Sequence, residues 1–242
     1  MSKKILFVVE GSKTENKCAV NIFKRVMKVN DENVAVHRYS TNVYDLYDKL
    51  FSGEYDYFID YLRVNAKKLF KGATKPSDYF SSIYLVFDLD PQDPRFSMQK
   101  CEKLLNYFND DTNNGKLYFN YPMVEAIFDI LSLNQKQFNG RVVNRLGLSS
   151  ESYKSRVNKI SIIKNRKGYS LRNKNILYQV IQLNINKYFY LVNSDRDDSY
   201  SNQIELLNSE KIFLSKNKIS VINSSLLILH DYNDAMIEML IK

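Results

Sequence analysis

Tryptophan is absent from this 242-residue chain, cysteine and histidine occur twice each, proline four times and glycine seven times. Each scarcity removes a class of chemistry. Cys18 and Cys101 fall in expected helices and share no metal-ligand spacing with each other, His37 or His230, so neither a zinc site nor a disulfide framework is expected. The glycines form no GxGxxG or GxxxxGK string, which removes dinucleotide enzymes and nucleotide-hydrolysing motors, and no Ser-His-Asp constellation is present. No apolar run approaches the roughly 20 residues of a membrane helix. The run after Met1-Ser2-Lys3-Lys4 is cut by Glu10, too short for a signal peptide. A cytoplasmic protein without membrane contact is expected.

Acidic residues are missing from one stretch. Residues 1–131 carry 18 Lys/Arg against 18 Asp/Glu, residues 132–187 carry 12 against 1, and residues 188–242 carry 5 against 8. The excess behind the net charge of +8 therefore sits in 132–187. Arg141, Arg145, Lys164, Arg166, Lys167, Arg172 and Lys174 are candidate phosphate contacts there, with Tyr153, Tyr169 and Tyr178 interleaved for base stacking. A solvated helix face or an acidic partner protein accounts for the same charge, since its sign bears on partners without naming them. The 18 Tyr and 14 Phe, beside many Asn, Lys and Ile, fit AT-rich coding better than a dedicated aromatic function.

What is present is a set of buried strands that end in carboxylates. Lys4-Ile5-Leu6-Phe7-Val8-Val9 runs into Glu10-Gly11, and Ile83-Tyr84-Leu85-Val86-Phe87 runs into Asp88-Leu89-Asp90. Continuous apolar runs of this length mark strands buried on both faces. Between them the sequence predicts a capping box at Ser12 and Glu15, a helix over 14–28, a strand over 34–39, and helical spacing over 43–71 broken at Gly53. A helix over 97–109, a strand over 115–121 stopped by Pro122 and a helix over 123–131 follow. Strands alternating with helices imply an α/β domain with a mainly parallel sheet, placed at 1–131. From 132 onward the strand signal weakens. Helices are expected over 151–165 and 173–191, a polar loop over 195–201 and two more helices within 202–240, with 219–229 open to a strand. Residues 132–242 thus read as a mainly helical, basic extension.

In an open parallel sheet the ligand crevice lies beyond the carboxyl ends of the strands, so acids from neighbouring strands converge there. Clustered carboxylates call for a hard cation, and Mg²⁺ takes one or two of them with waters and phosphate oxygens. Alternation of faces would put Asp88 and Asp90 on one side with Leu89 in the core. Asp93 is a further ligand candidate, although an Asp before Pro94 also serves as a helix cap.

Val8-Val9-Glu10-Gly11-Ser12-Lys13-Thr14-Glu15, Val86-Phe87-Asp88-Leu89-Asp90 and Asn120-Tyr121-Pro122-Met123-Val124-Glu125 together resemble the Toprim domain, most closely the RloB-like and OLD-type Toprim nucleases of bacterial phage-defence loci. The resemblance covers roughly residues 1–131. It implies a Toprim-like, Rossmann-like fold and a Mg²⁺- or Mn²⁺-dependent endonuclease. Glu10 would be the general base or a metal-orienting glutamate, and Asp88 and Asp90 metal ligands. Glu125 would complete the acidic cluster, although a Glu in the first turn of a helix is also favoured by the macrodipole. Lys13 is the candidate for the family's lysine. If two metals are held, they would stand about 3.5–4 Å apart.

The substrate implied is DNA or RNA, tRNA included, and the partner an ABC-type ATPase that senses infection. A housekeeping RNA-processing nuclease and a non-catalytic adaptor for nucleic acid or an ATPase are the alternatives. Oligomeric state is left open.

Overall fold

The computed structural model describes residues 3–11, 16–69, 79–195 and 200–233. The expected capping box at Ser12 and Glu15, and Lys13 with it, lie outside the described residues. The chain forms two compact units, the first from Met1–Phe87 with Arg95–Tyr118 and the second from Asp88–Pro94 with Phe119–Lys242. This division differs from the boundary expected near 132.

In the first unit, β1 (Lys4–Val9) is buried from Ile5 through Val9, as its unbroken apolar run requires. A π-helical turn at Asn16–Val20 leads into α1 (Asn21–Met27). β2 (Val34–Arg38) then runs parallel to β1, with Ile5 opposite Val34 and Val9 opposite Arg38. α2 (Val43–Phe51) is capped by Asn42, whose side chain accepts from the Asp45 N–H. α3 (Phe58–Asn65) follows beyond the expected break at Gly53. β3 (Phe80–Asp88) returns parallel to β1, and α4 (Met98–Tyr107) connects to the antiparallel pair β4 (Asn109–Asp110) and β5 (Gly115–Asn120).

The sheet order is β2-β1-β3-β5-β4. It is an α/β arrangement with a mostly parallel central sheet, compatible with a Rossmann-like fold. Phe7, Phe23 and Tyr84 pack ring to ring at 5.2–6.2 Å and join the sheet to α1. β5 begins at a glycine for a steric reason. Gly115 has φ +111, which L side chains rarely adopt, and a Cβ there would lie 2.5 Å from Leu85 Cδ1, so a larger residue would be strained and would force the Leu85 side chain to shift.

The second unit holds the loop 88–94 and the chain from Phe119 onward. Residues 123–131 do not form the expected α-helix. A 3-10 helix at Val124–Phe128 is closed by Ala126 N–H to Met123 O and Asp129 N–H to Ala126 O, and it stops where the Asp129 carboxylate turns inward. Next come α5 (Gln135–Asn139), β6 (Val142–Asn144), α6 (Ser150–Ile160), α7 (Ile162–Asn165), α8 (Lys174–Val192), α9 (Gln203–Leu214) and β7 (Lys218–Ser220). β6 and β7 pair antiparallel, and 224–233 is helical. α8 has buried residues on most of its circumference, including Asn184 and Lys187, and packs against α5 and α9.

Candidate functional site

The acid-bearing loop is built from the end of β3 and the segment after β5. Asp88 closes β3 and is only 8% exposed. Its Oδ1 accepts the Val124 N–H at 2.7 Å and the Asn120 side-chain amide at 3.4 Å. One carboxylate oxygen therefore caps the first turn of the 3-10 helix that carries Glu125. The Leu89 N–H donates to Asn120 O at 3.1 Å, which holds Leu89 in the core as its apolar character demands.

Beyond Leu89 the strand alternation ends. Asp90 has φ +43, in the left-handed region that Asp tolerates better than most residues, so the expected shared face of Asp88 and Asp90 does not follow from strand geometry. The turn is held by Asp90 N–H to Pro122 O at 3.3 Å, Asp93 N–H to Asp90 O at 2.9 Å, and the Gln92 amide to Asp90 Oδ1 at 2.9 Å. The N-cap of α4 is Ser97, so Asp93 does not cap that helix.

Arg145, just past β6, donates to Pro91 O from Nε at 3.1 Å and from Nη2 at 2.9 Å. Arg145, expected to meet phosphate, clamps the acid loop through these bonds.

Asp90 feels the charges of Asp93 and Glu125. Burial raises the Asp90 carboxyl above its ordinary value, the Gln92 hydrogen bond opposes this, and the Asp93 and Glu125 carboxylates add to the rise. Glu125 is buried, with Lys154 Nζ 4.0 Å from its Oε1. Glu10 belongs to the first unit. It stands half-buried after β1, its N–H donating to Val86 O at 3.3 Å and its carbonyl accepting the Ser40 N–H at 3.1 Å.

No protein-family profile, curated protein or solved structure matches this chain.

Donor chemistry in the loop suits a hard cation: the side chains are carboxylates, and their mutual repulsion is what bound Mg²⁺ would relieve. Among the described residues, however, no group of three or more His, Cys, Asp and Glu side chains is gathered to hold a metal.

The basic segment divides in two. Arg141 and Arg156 grip fully buried Asp129 at 2.8 and 2.7 Å, with the Tyr153 hydroxyl donating to the same carboxylate at 3.1 Å. Lys187 is buried and donates to Phe138 O and Arg141 O at 2.9 and 2.7 Å, and burial pushes its ammonium down to about 7. These cations serve the fold.

Lys164, Arg166, Lys167, Arg172 and Lys174 are all exposed, with no acidic residue between 164 and 174. Arg166 lies over Tyr169 at 4.7 Å and Lys174 over Tyr178 at 5.4 Å. The sequence signalled charge but could not separate these two groups. It also missed Asp129, whose only cue is an acid inside the apolar run Ala126-Ile127-Phe128-Asp129-Ile130.

Proposed function

We propose that the protein is a divalent-metal-dependent nuclease whose metal is held by the loop Asp88–Pro94 together with Glu125. The observation that carries this reading is a partly buried Asp90 carboxyl just beyond the carboxyl end of a parallel strand, raised by burial first and by the charges of Asp93 and Glu125 in addition. Perturbed carboxylates in such a place are candidates for function. One or two of the Asp90, Asp93 and Glu125 carboxylates would hold Mg²⁺ or Mn²⁺, with water filling the remaining positions. Bound metal in such a site lowers the pKa of water and neutralises charge at a scissile phosphate.

The chain's own residues supply placement. Asp88 sets the turn that carries Glu125, Arg145 fixes the loop from Pro91, and the exposed cations of 164–174 hold the phosphate backbone. The Toprim resemblance supports the same chemistry and adds an ABC-type ATPase as the partner that would release it.

The test is cleavage of plasmid DNA and total cellular RNA by purified protein with Mg²⁺ or Mn²⁺, against EDTA, Asp90→Asn and Glu125→Gln. Metal-dependent cutting that both variants lose supports the proposal and names the substrate class. Cutting by the variants at the wild-type rate removes the acid loop from the chemistry.

A second reading is a nucleic-acid-binding adaptor without catalysis. The inward engagement of Asp88 and the lack of a three-acid group among the described residues favour it. It predicts salt-sensitive binding with no metal-dependent cutting.

A further inference from the structure

The first turns of α8 carry Asn175, Tyr178, Gln179 and Gln182, spaced i, i+3, i+4 and i+7, which puts them on one helix face. With Gln135 of α5 they surround a cleft of about 430 Å³ whose apolar floor is Leu133 and Leu183. That volume lies within the range of small-ligand sites, about 300–1,000 Å³.

The lining is unusual in kind: four side-chain amides, one phenol ring, two leucines and no charged group. Gln135 is fixed as a wall, donating to Asn139 Oδ1 and Leu183 O at 2.6 and 3.1 Å and accepting from Asn186 at 3.4 Å. Asn175 and Gln179 are exposed and Tyr178 is half-buried, so two amides and the tyrosine side chain line the opening.

Each amide offers a donor and an acceptor side by side, the pattern that pairs with the edge of a nucleobase. A tyrosine ring offers the flat face on which any base stacks. An aliphatic ligand would leave the amides unmatched, and an anion would find no counter-charge within the lining. Charge lies just outside: Lys174 Nζ is 5.4 Å from the Tyr178 ring centroid, at the end of the exposed basic stretch 164–174. A phosphodiester held by Lys174 would have its base within reach of the cleft.

We propose that this cleft receives one unstacked base of a single-stranded nucleic acid, stacked against Tyr178 with its edge read by Asn175 and Gln179. A base inside a duplex is held in its stack and cannot enter. The proposal names the substrate of the nuclease reading above and rests on it for function, but binding alone tests it.

The experiment is fluorescence anisotropy of short unstructured RNA and DNA oligonucleotides with the full chain in EDTA, so that no cutting is involved. Tyr178→Ala is expected to weaken binding about tenfold while Tyr178→Phe retains it, and Gln179→Ala, at an exposed position that does not threaten folding, weakens it several-fold. An oligonucleotide of abasic residues should bind wild type and Tyr178→Ala alike. The RNA and DNA arms show which sugar is preferred.

Wild-type affinity in Tyr178→Ala and Gln179→Ala, or an equal loss on the abasic strand, overturns the cleft. Absence of any single-strand binding by wild type overturns it too, while metal-dependent cutting of duplex DNA would leave the nuclease standing. Base-dependent binding without cutting would do the reverse.

Discussion

At Asp90 a left-handed backbone, partial burial and the charges of Asp93 and Glu125 bear on one carboxylate. Its folded value lies above the ordinary 3.8. Below that pH both folded and unfolded states hold the proton, and the group costs nothing. As pH climbs from 3.8 through the raised value, the unfolded state ionises first and stability falls; above it the cost is constant. Asp90→Asn should therefore raise the melting temperature at neutral pH, with the gain vanishing near pH 4. Circular dichroism melts across pH check this, and a lower melting temperature for the variant at neutral pH would contradict it.

Asp129 is the opposite case, a fully buried carboxylate matched by Arg141, Arg156 and Tyr153. Asp129→Ala leaves two guanidinium groups without their partner and should cost about 3–5 kcal/mol in chemical denaturation. Asp88 lies between the two, because Asp88→Asn keeps an acceptor for the Val124 N–H where Asp88→Ala loses it. Of the two, only the alanine variant should be markedly destabilised.

Among the elements, the strands were the most legible. β1 and β3 are unbroken apolar runs that end in acids, and such runs admit few readings other than buried strands. The 3-10 helix at Val124–Phe128 was not legible, because its length is set by a cap from Asp88 and the inward turn of Asp129, both tertiary. Three-residue strands such as β6 and β7 carry no periodic signal at all.

The same limit hid the role of Arg145, whose acceptor Pro91 is 54 residues away in sequence. Arg145→Ala should loosen the acid loop. Hydrogen exchange at the Leu89, Asp90 and Asp93 amides should quicken in the variant while β1 stays protected. Unchanged exchange in the loop would mean that Arg145 does not hold it.

Over the whole molecule, the sequence located the charge excess correctly but not its use. Twelve cations in 132–187 include four drawn into the fold, Arg141, Arg145, Arg156 and Lys187, while 164–174 keeps five exposed. If those five meet phosphates, the logarithm of single-strand affinity should fall with the logarithm of salt at a slope of about −3 to −4. A slope near zero would remove backbone contact from the account.

The acids themselves were legible as residue types, and Asp88, Asp90, Asp93 and Glu125 do fall within one unit. Their orientation was not legible, since it depends on the left-handed turn at Asp90 and the cap at Val124.

The most direct measurement is a Mn²⁺ titration followed by electron paramagnetic resonance, comparing wild type with an Asp90→Asn, Asp93→Asn double variant shown by circular dichroism to be folded. Wild type should remove the free-ion signal, and the variant should leave it. Equal binding by both proteins, or none by wild type, would contradict an acid loop built to hold a divalent cation.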